Sequence, residues 1–300
     1  MINELLKITS IKKNEPLSAH TSFKIGGPAD YMAFPRNEEE LKNLISFLND
    51  RDIPWFVMGN GTNLLVGDSG YRGVVVQLFK NFEKIKIEKS TNGGVITADS
   101  GALLSKIAGI ALENSLEGME GLSGIPGTLG GACAMNAGAY GFEIKNVLKS
   151  VKVLDGSGEV FELTPDELEM GYRYSLIPVR DYIVLSADIE LKKGNREEIQ
   201  AKMEDFKKRR ITKQPIEKPC AGSTFKRPEG YFAGTLIEEA GLKGLSIGGA
   251  SVSVKHSGFI ISDGTASAKD VKELIELVIE KVREYSGITL EPEVKFVGEF

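Results

Sequence analysis

The sequence predicts an α+β protein of more than one domain, and three observations carry that reading. Apolar stripes at helical spacing alternate with β-branched runs early in the chain. Further along, strand-like runs follow one another with few helices between them. Glycine-rich loops stand where regular elements end. Three hundred residues supply enough chain for two or three cores. The pattern divides into segments 1–78, 79–194 and 195–300.

In the first segment YMAFP (31–35) reads as a short strand. Asn37 then caps a helix that opens on Glu38, Glu39 and Glu40, the acidic first turn a helix dipole favours. Leu41, Leu44, Ile45 and Leu48 give that helix its apolar stripe. IPWFVMG and RGVVVQL read as strands on either side of the tight GNGTN, which makes a β-α-β unit with a glycine turn at a strand end.

In the second segment GGVITAD reads as a strand. Leu103, Leu104, Ile107, Ala108, Ala111 and Leu112 form a helical stripe running into a glycine array. SVKVLDGSGEVFEL is a hairpin turning at Asp155-Gly156-Ser157-Gly158. LTPDELE reads as a short helix with a Thr164–Glu167 capping box and Pro165 at its first position. YIVLSADIEL is a further strand.

The third segment opens on a helix from about Asn195 to Arg210, with a second near Thr235–Ala240. Strands follow around Ser251–Ser262, then a long helix from Lys269 to Tyr285 with Gly287 where a terminating glycine belongs. ITLEPEVKFVG reads as a closing strand, with Pro292 marking an edge or a bulge.

Composition narrows the function. The net charge of −5 argues against a nucleic-acid binder, and no apolar run approaches the roughly 20 residues of a membrane span. The N-terminus lacks the apolar region and cleavage site of a signal peptide. Cys133, Cys220, His20 and His256 are too few and too scattered for a zinc site, so no metal is expected. A reduced, cytoplasmic protein is the expectation.

The chemistry is carried by short motifs. From Gly118 to Gly130 a glycine falls at every third position, and Gly131 adds one more. The run is too short for collagen, so the chain there either turns repeatedly or lets something approach its backbone. MGNGTNLLVG (58–67) and GLSGIPGTLGG (121–131) are therefore two glycine loops suited either to plain turns or to a diphosphate on bare backbone amides. Neither carries the full Rossmann spacing or a Walker lysine. The basic run KKRRITK (207–213), with Lys218, Lys226, Arg227 and Lys243, is either a solvated helix end or a phosphate-binding surface. Ser223, in AGSTFKRP (221–228), is either a plain loop serine or a catalytic one, and with no nucleophile elbow around it proton delivery then suits it better than attack. LEPEVKF carries Glu291 and Glu293, and GYRYS (171–175) places Arg173 between two tyrosines.

Taken in order, HTSFKIGGPADYMAFP, MGNGTNLLVGD, GLSGIPGTLGGACAMNAGAYG, GYRYS, AGSTFKRP, GTLIEEAGLKGLSIGGASVS and LEPEVKFVG closely resemble the UDP-N-acetylenolpyruvoylglucosamine reductase (MurB) family, from about His20 to the C-terminus. The resemblance implies two α+β subdomains of the PCMH/vanillyl-alcohol-oxidase type that hold non-covalent FAD, and a third that covers the substrate and receives the last strand at the active site. It implies that NADPH reduces the flavin, which passes hydride to C3 of UDP-N-acetylglucosamine enolpyruvate, with protonation at C2 giving UDP-N-acetylmuramate.

The same resemblance implies FAD contacts from Asn60, Gly61, Thr62, Asn63 and Leu64 in the first loop. Ile125, Pro126, Gly127, Thr128 and Gly131 serve in the second, with Ala134 and Gly138 beyond it and Arg210 as a further flavin contact. It assigns Arg173 as the cation at the substrate carboxylate, Ser223 as proton donor and Glu293 as the glutamate beside that carboxylate. Tyr172, Lys213, Arg227 and Lys243 fall to the sugar and diphosphate. Longer members carry an inserted tyrosine loop; this chain resembles the shorter subtype, with Arg227 the candidate for the missing contact. Two alternatives remain on the residues alone: a flavin oxidase or dehydrogenase of the same superfamily, and a sugar-nucleotide sensor without flavin.

Overall fold

The structure is a computed structural model and describes residues 2–300. The described residues divide into two compact units: residues 2–12, 31–60 and 73–209, and residues 13–30, 61–72 and 210–300.

The first unit is built on two sheets. The smaller has the order Ser10–Pro16, Pro28–Phe34, Tyr71–Gln77, Trp55–Met58, and its last two strands run parallel, Trp55 opposite Val74. The helix Glu38–Asn49 lies between Pro28–Phe34 and Trp55–Met58 in the chain, and Tyr71–Gln77 is inserted between those two strands in the sheet. Asn37 caps this helix as the sequence indicates, its side chain accepting from the Glu40 amide, and Leu41, Leu44, Ile45 and Leu48 are buried. They join Leu5, Ala33, Val74, Val76 and Leu185 in one apolar core.

The larger sheet is antiparallel, in the order Val160–Leu163, Leu148–Leu154, Ile183–Lys193, Gly93–Asp99, Ile85–Ser90. The predicted hairpin is present, and the Asp155 carboxylate accepts from the Ser157 and Glu159 amides across its turn. A second core, with Ile96, Ile107, Leu122, Leu129 and Ile189, packs the helices Leu104–Glu113 and Leu129–Met135 onto this sheet.

Three expectations are corrected. Residues 164–169 form a single hydrogen-bonded turn and no helix: the Thr164–Glu167 capping box is made, but Glu169 adopts φ 49° and ends the turn at once. The helix begun at Asn195 spans Arg196–Lys213, so the basic run lies within it; Phe206 stacks on Tyr140 with centroids 4.6 Å apart. The closing strand is only Lys295–Val297, and Pro292 lies before it, bridged to Phe225.

The second unit has its own core, in which Phe23, Ile25 and Leu65 join Leu236, Ile260, Leu274, Val278 and Val294. Its long helix, Ala268–Ser286, opens on a complete capping box between Ser267 and Asp270 and closes on Gly287 at φ 75°. A three-stranded sheet runs Ser246–Ile247, Ala250–Val252, Ile260–Ser262. The C-terminal Lys295–Val297 pairs parallel with Leu64–Val66, directly after the first glycine loop. No helix among the described residues is long and apolar enough to cross a membrane.

Candidate active site

In the first unit the structure brings the two glycine loops together. Asn60 Nδ2 donates to the Pro126 carbonyl at 2.8 Å, and a Cβ on Gly59 would collide with the Thr128 hydroxyl. The second loop is tied to the turn that follows the strand Gly93–Asp99, the Leu129 amide donating to Ala102 O and the Gly130 amide to Ser100 O. Gly130 must be bare because a Cβ there would stand 2.9 Å from that of Ser100. Gly131 is different. It is exposed, and an added Cβ would meet only Thr128 Oγ1, at 3.6 Å. The buried Ser100 hydroxyl beside this loop has no hydrogen-bond partner. A bare, accessible backbone with an unsatisfied hydroxyl behind it suits the diphosphate of a bound dinucleotide.

Arg173 is placed by the segment that leaves this loop. Its Nη2 donates to Gly138 O at 2.9 Å, and its guanidinium carbon stands 5.0 Å from the centroid of the exposed Tyr172 ring. Arg173 itself sits at φ 54°, in the left-handed region that a non-glycine residue enters only when held. What holds it is Asn136, fully buried, whose Nδ2 donates to Gly171 O at 2.7 Å and to Glu143 at 3.0 Å. Ser175 Oγ adds a bond to Ala134 O. GYRYS and GACAMNAGAYG, separate in the sequence, are thus one structure. Asn136 had no role in the sequence reading; the only signal was its place in MNAG, a turn-forming context.

In the second unit the main chain of Thr224, next to Ser223, is bonded to that of Glu293. The Thr224 amide donates to Gly258 O at 2.8 Å, its carbonyl accepts from the Glu293 amide at 2.8 Å, and its hydroxyl accepts from the Ile260 amide at 3.0 Å. Thr224 is 2% exposed, so each of these bonds satisfies a group that water does not reach. Asn63, from the first glycine loop, donates to Glu293 O and accepts from the Lys295 amide. Ser223 Oγ donates to Phe225 O at 3.2 Å. Lys226 and Glu291 pair with each other, which gives Glu291 a structural partner.

Lys213 and Lys243 both act electrostatically on His256, as does Glu238, which pairs with Lys243 at 2.6 Å. Arg227 folds onto its own loop instead, donating to Tyr231 O and stacking 3.9 Å from the Phe232 centroid. Arg210 lies half-buried on the last turns of its helix. The Cys133 thiol is fully buried and pushed up to about 12 by desolvation, which removes it from any nucleophilic role.

Residues 29–164 match the profile of an FAD binding domain. With the fold above, this defines a flavoprotein of the PCMH type carrying a separate C-terminal domain. Residues 214–297 match the profile described as UDP-N-acetylenolpyruvoylglucosamine reductase, C-terminal domain. The chain is 53% identical over 298 residues to the UDP-N-acetylenolpyruvoylglucosamine reductase of Caldanaerobacter subterraneus subsp. tengcongensis, covering 99% of this chain and 97% of that protein. It is 50% identical to that of Clostridioides difficile, covering 98% and 96%. The crystal structure of UDP-N-acetylenolpyruvylglucosamine reductase from Thermus caldophilus superposes with a TM-score of 0.80 at 36% identity, covering 96% of this chain and 98% of that one. The chain belongs to the UDP-N-acetylenolpyruvoylglucosamine reductase family.

Proposed function

We propose that this chain, an FAD-dependent oxidoreductase, reduces the enolpyruvyl ether of UDP-N-acetylglucosamine to UDP-N-acetylmuramate for peptidoglycan synthesis, with NADPH as electron source. The full-length likeness to reductases of that name supports the reaction. The observation that supports the residue assignments is the buried Thr224 junction, which fixes Ser223 and Glu293 in one register. Both co-substrates are nucleotides, and a cytoplasmic site of reaction is part of the same reading. The division at residues 78 and 194 is our reading of the functional segments; the apolar cores cross it, with Leu185 in the core of the first segment and Phe23, Ile25 and Leu65 in that of the third.

FAD, when bound, carries hydride from NADPH to the enolpyruvyl group. The residues proposed to hold it are those of the two loops: Asn60 to Leu64, Ile125 to Thr128, and Gly131. Ala134 and Gly138 lie just beyond them, and Arg210 is a further contact. As C3 is reduced, negative charge develops on C2 and the substrate carboxylate. Arg173, held by Asn136 in a conformation it would not adopt alone, supplies a fixed cation for that charge. Ser223 gives its hydroxyl proton to C2. A hydroxyl is a weak acid, but carbon in this state is basic enough to take its proton when the geometry is set. Glu293 serves at the carboxylate in protonated form or through a water, because two bare anions would repel. Lys213, Lys243 and Tyr172 serve the diphosphate and sugar, and Arg227 takes the place of the inserted tyrosine by unfolding from Phe232 toward the substrate.

The direct test follows flavin absorbance. NADPH should bleach it and UDP-N-acetylglucosamine enolpyruvate should restore it. Bleaching without restoration would assign the chain to another substrate. In Ser223→Ala bleaching should persist while restoration slows by about 10²–10⁴-fold; equal losses in both steps would remove Ser223 from the proton-donor role.

A further inference from the structure

The turn Ser253 to Phe259 joins the strands Ala250–Val252 and Ile260–Ser262 and is closed by its own groups. The Lys255 and His256 amides both donate to the buried Ser253 hydroxyl, and the Ser253 amide donates to Phe259 O at 2.9 Å. The His256 ring packs edge-on against Phe259, with centroids 4.9 Å apart. The Gly258 amide donates to His256 Nδ1 at 3.1 Å. A neutral imidazole that accepts at Nδ1 must carry its proton on Nε2, so one bond fixes both the orientation and the tautomer of the ring. Half-burial pushes His256 below its ordinary value, with Lys243 and Lys213 adding to the effect, and this favours the neutral form that the bond requires.

Gly258 passes this constraint on. Its carbonyl accepts the Thr224 amide, and the Thr224 carbonyl accepts the Glu293 amide. The imidazole, the proton donor's neighbour and the glutamate are therefore the ends and middle of one hydrogen-bonded line. Gly258 also separates the ring from the serine: an added Cβ would stand 3.2 Å from His256 Cε1 and 3.7 Å from Ser223 Oγ. Ring and hydroxyl thus flank a gap about the size of one methyl group, and the closeness to the ring lets only glycine sit there without displacing it.

We propose that His256 is a positioning residue for the protonation step, acting through Nδ1 on Gly258 and Thr224 to hold Ser223 and Glu293 in register. The idea rests on Ser223 being the proton donor. His256 is not itself the donor: its fixed lone pair, not its charge or its Nε2 proton, does the work.

Two substitutions separate the ring nitrogens, because asparagine Oδ1 occupies the place of Nδ1 whereas glutamine presents its polar atoms near Nε2. Rapid mixing of the FAD-loaded enzyme reads both half-reactions. His256→Gln should slow substrate-driven return of flavin absorbance by about tenfold or more, with bleaching by NADPH within about twofold of the parent, while His256→Asn should keep most of the parent rate. Gly258→Ala, which keeps the amide but displaces the ring, should behave like His256→Gln.

Rescue by glutamine and not by asparagine would overturn the proposal in favour of direct contact through Nε2. Parent-like rates in both His256 variants, or equal losses in both half-reactions, would also overturn it. Ser223→Ala measured alongside keeps the premises apart. A parent-like return there removes the proton-donor reading itself, whatever the His256 variants do.

Discussion

Two groups of glycines in this protein serve largely different ends. Residues 118–131 in the first unit announce themselves by period and number. In the second unit Gly27, Gly67, Gly70 and Gly298 are scattered through the sequence yet meet in space. There a Cβ on Gly67 would land on the Glu299 carbonyl, one on Gly70 on the Pro28 carbonyl, and one on Gly298 on Gly70 O. These glycines exist because main chains cross at contact distance, binding the C-terminal strand beside Leu64–Val66. The 118–131 array holds some of the same kind, since a Cβ added to Gly121 would stand 2.5 Å from the Phe142 ring and 2.6 Å from Ala139 O. Gly131 by contrast has open space around it. The lesson is that glycine number marks close backbone approach, and that Gly131, which no neighbouring side chain or crossing strand explains, is a position to test for a ligand.

The largest expected effect tests the crossing. Gly67→Ala should lose on the order of 3 kcal/mol or more of stability in urea titration, because the obstacle is main chain with nowhere to move. A loss below about 1 kcal/mol would mean that the crossing yields and the comparison has no force. Gly121→Ala comes next, at about 1–3 kcal/mol, since its obstacle is partly the ring of Phe142, which can shift.

Gly131→Ala should invert the pattern. The residue lies in the helix Leu129–Met135, where alanine is favoured over glycine by up to about 1 kcal/mol, so the apoprotein should be unchanged or more stable. FAD, which needs the bare backbone under the proposed assignment, should bind roughly tenfold or more weakly by fluorescence titration. A variant that is destabilised with unchanged FAD affinity would place Gly131 among the packing glycines.

Local features of both regions were legible in the sequence, and long-range ones were not. The hairpin Leu148–Leu163, the Asn37 cap and the helix ending at Gly287 follow from periodicity and capping chemistry, which act within a few residues. The turn at Thr164–Glu169 was misread because a capping box starts a helix but cannot sustain one through a left-handed Glu169. Thr224, Asn136 and His256 were missed as organisers for one reason. Asn136 and Thr224 bond main-chain groups distant in the sequence, and His256 bonds an amide two residues on whose residue reaches Thr224 through its carbonyl; no residue type announces which carbonyl or amide it will meet. The motifs around Ser223 and Glu293 could be named from their order, but Thr224, which ties them together, carries no signal beyond lying between them.

The smallest effect concerns a third kind of glycine contact. Gly248, at φ 51°, lies where an added Cβ would meet the Asp270 carboxylate rather than a carbonyl of the main chain. Asp270 accepts from the Ser267 amide at 2.9 Å, and this bond, with the Ser267 hydroxyl and the Gly249 amide, holds its carboxyl below the ordinary value of 3.8. A depressed folded value means that the ionised group stabilises the fold above the unfolded value and that the contribution fades as pH falls through the folded one. Asp270→Asn keeps the shape and removes the charge, so it should cost only about 0.5–1 kcal/mol near neutrality, the side chain being partly solvated. The gap in melting temperature between parent and variant should hold steady from about pH 7 to 5 and close below about pH 4. A gap that persists into acid would assign the stabilisation to the hydrogen bonds of the cap, and the carboxylate opposite Gly248 would then matter for its shape and not its charge.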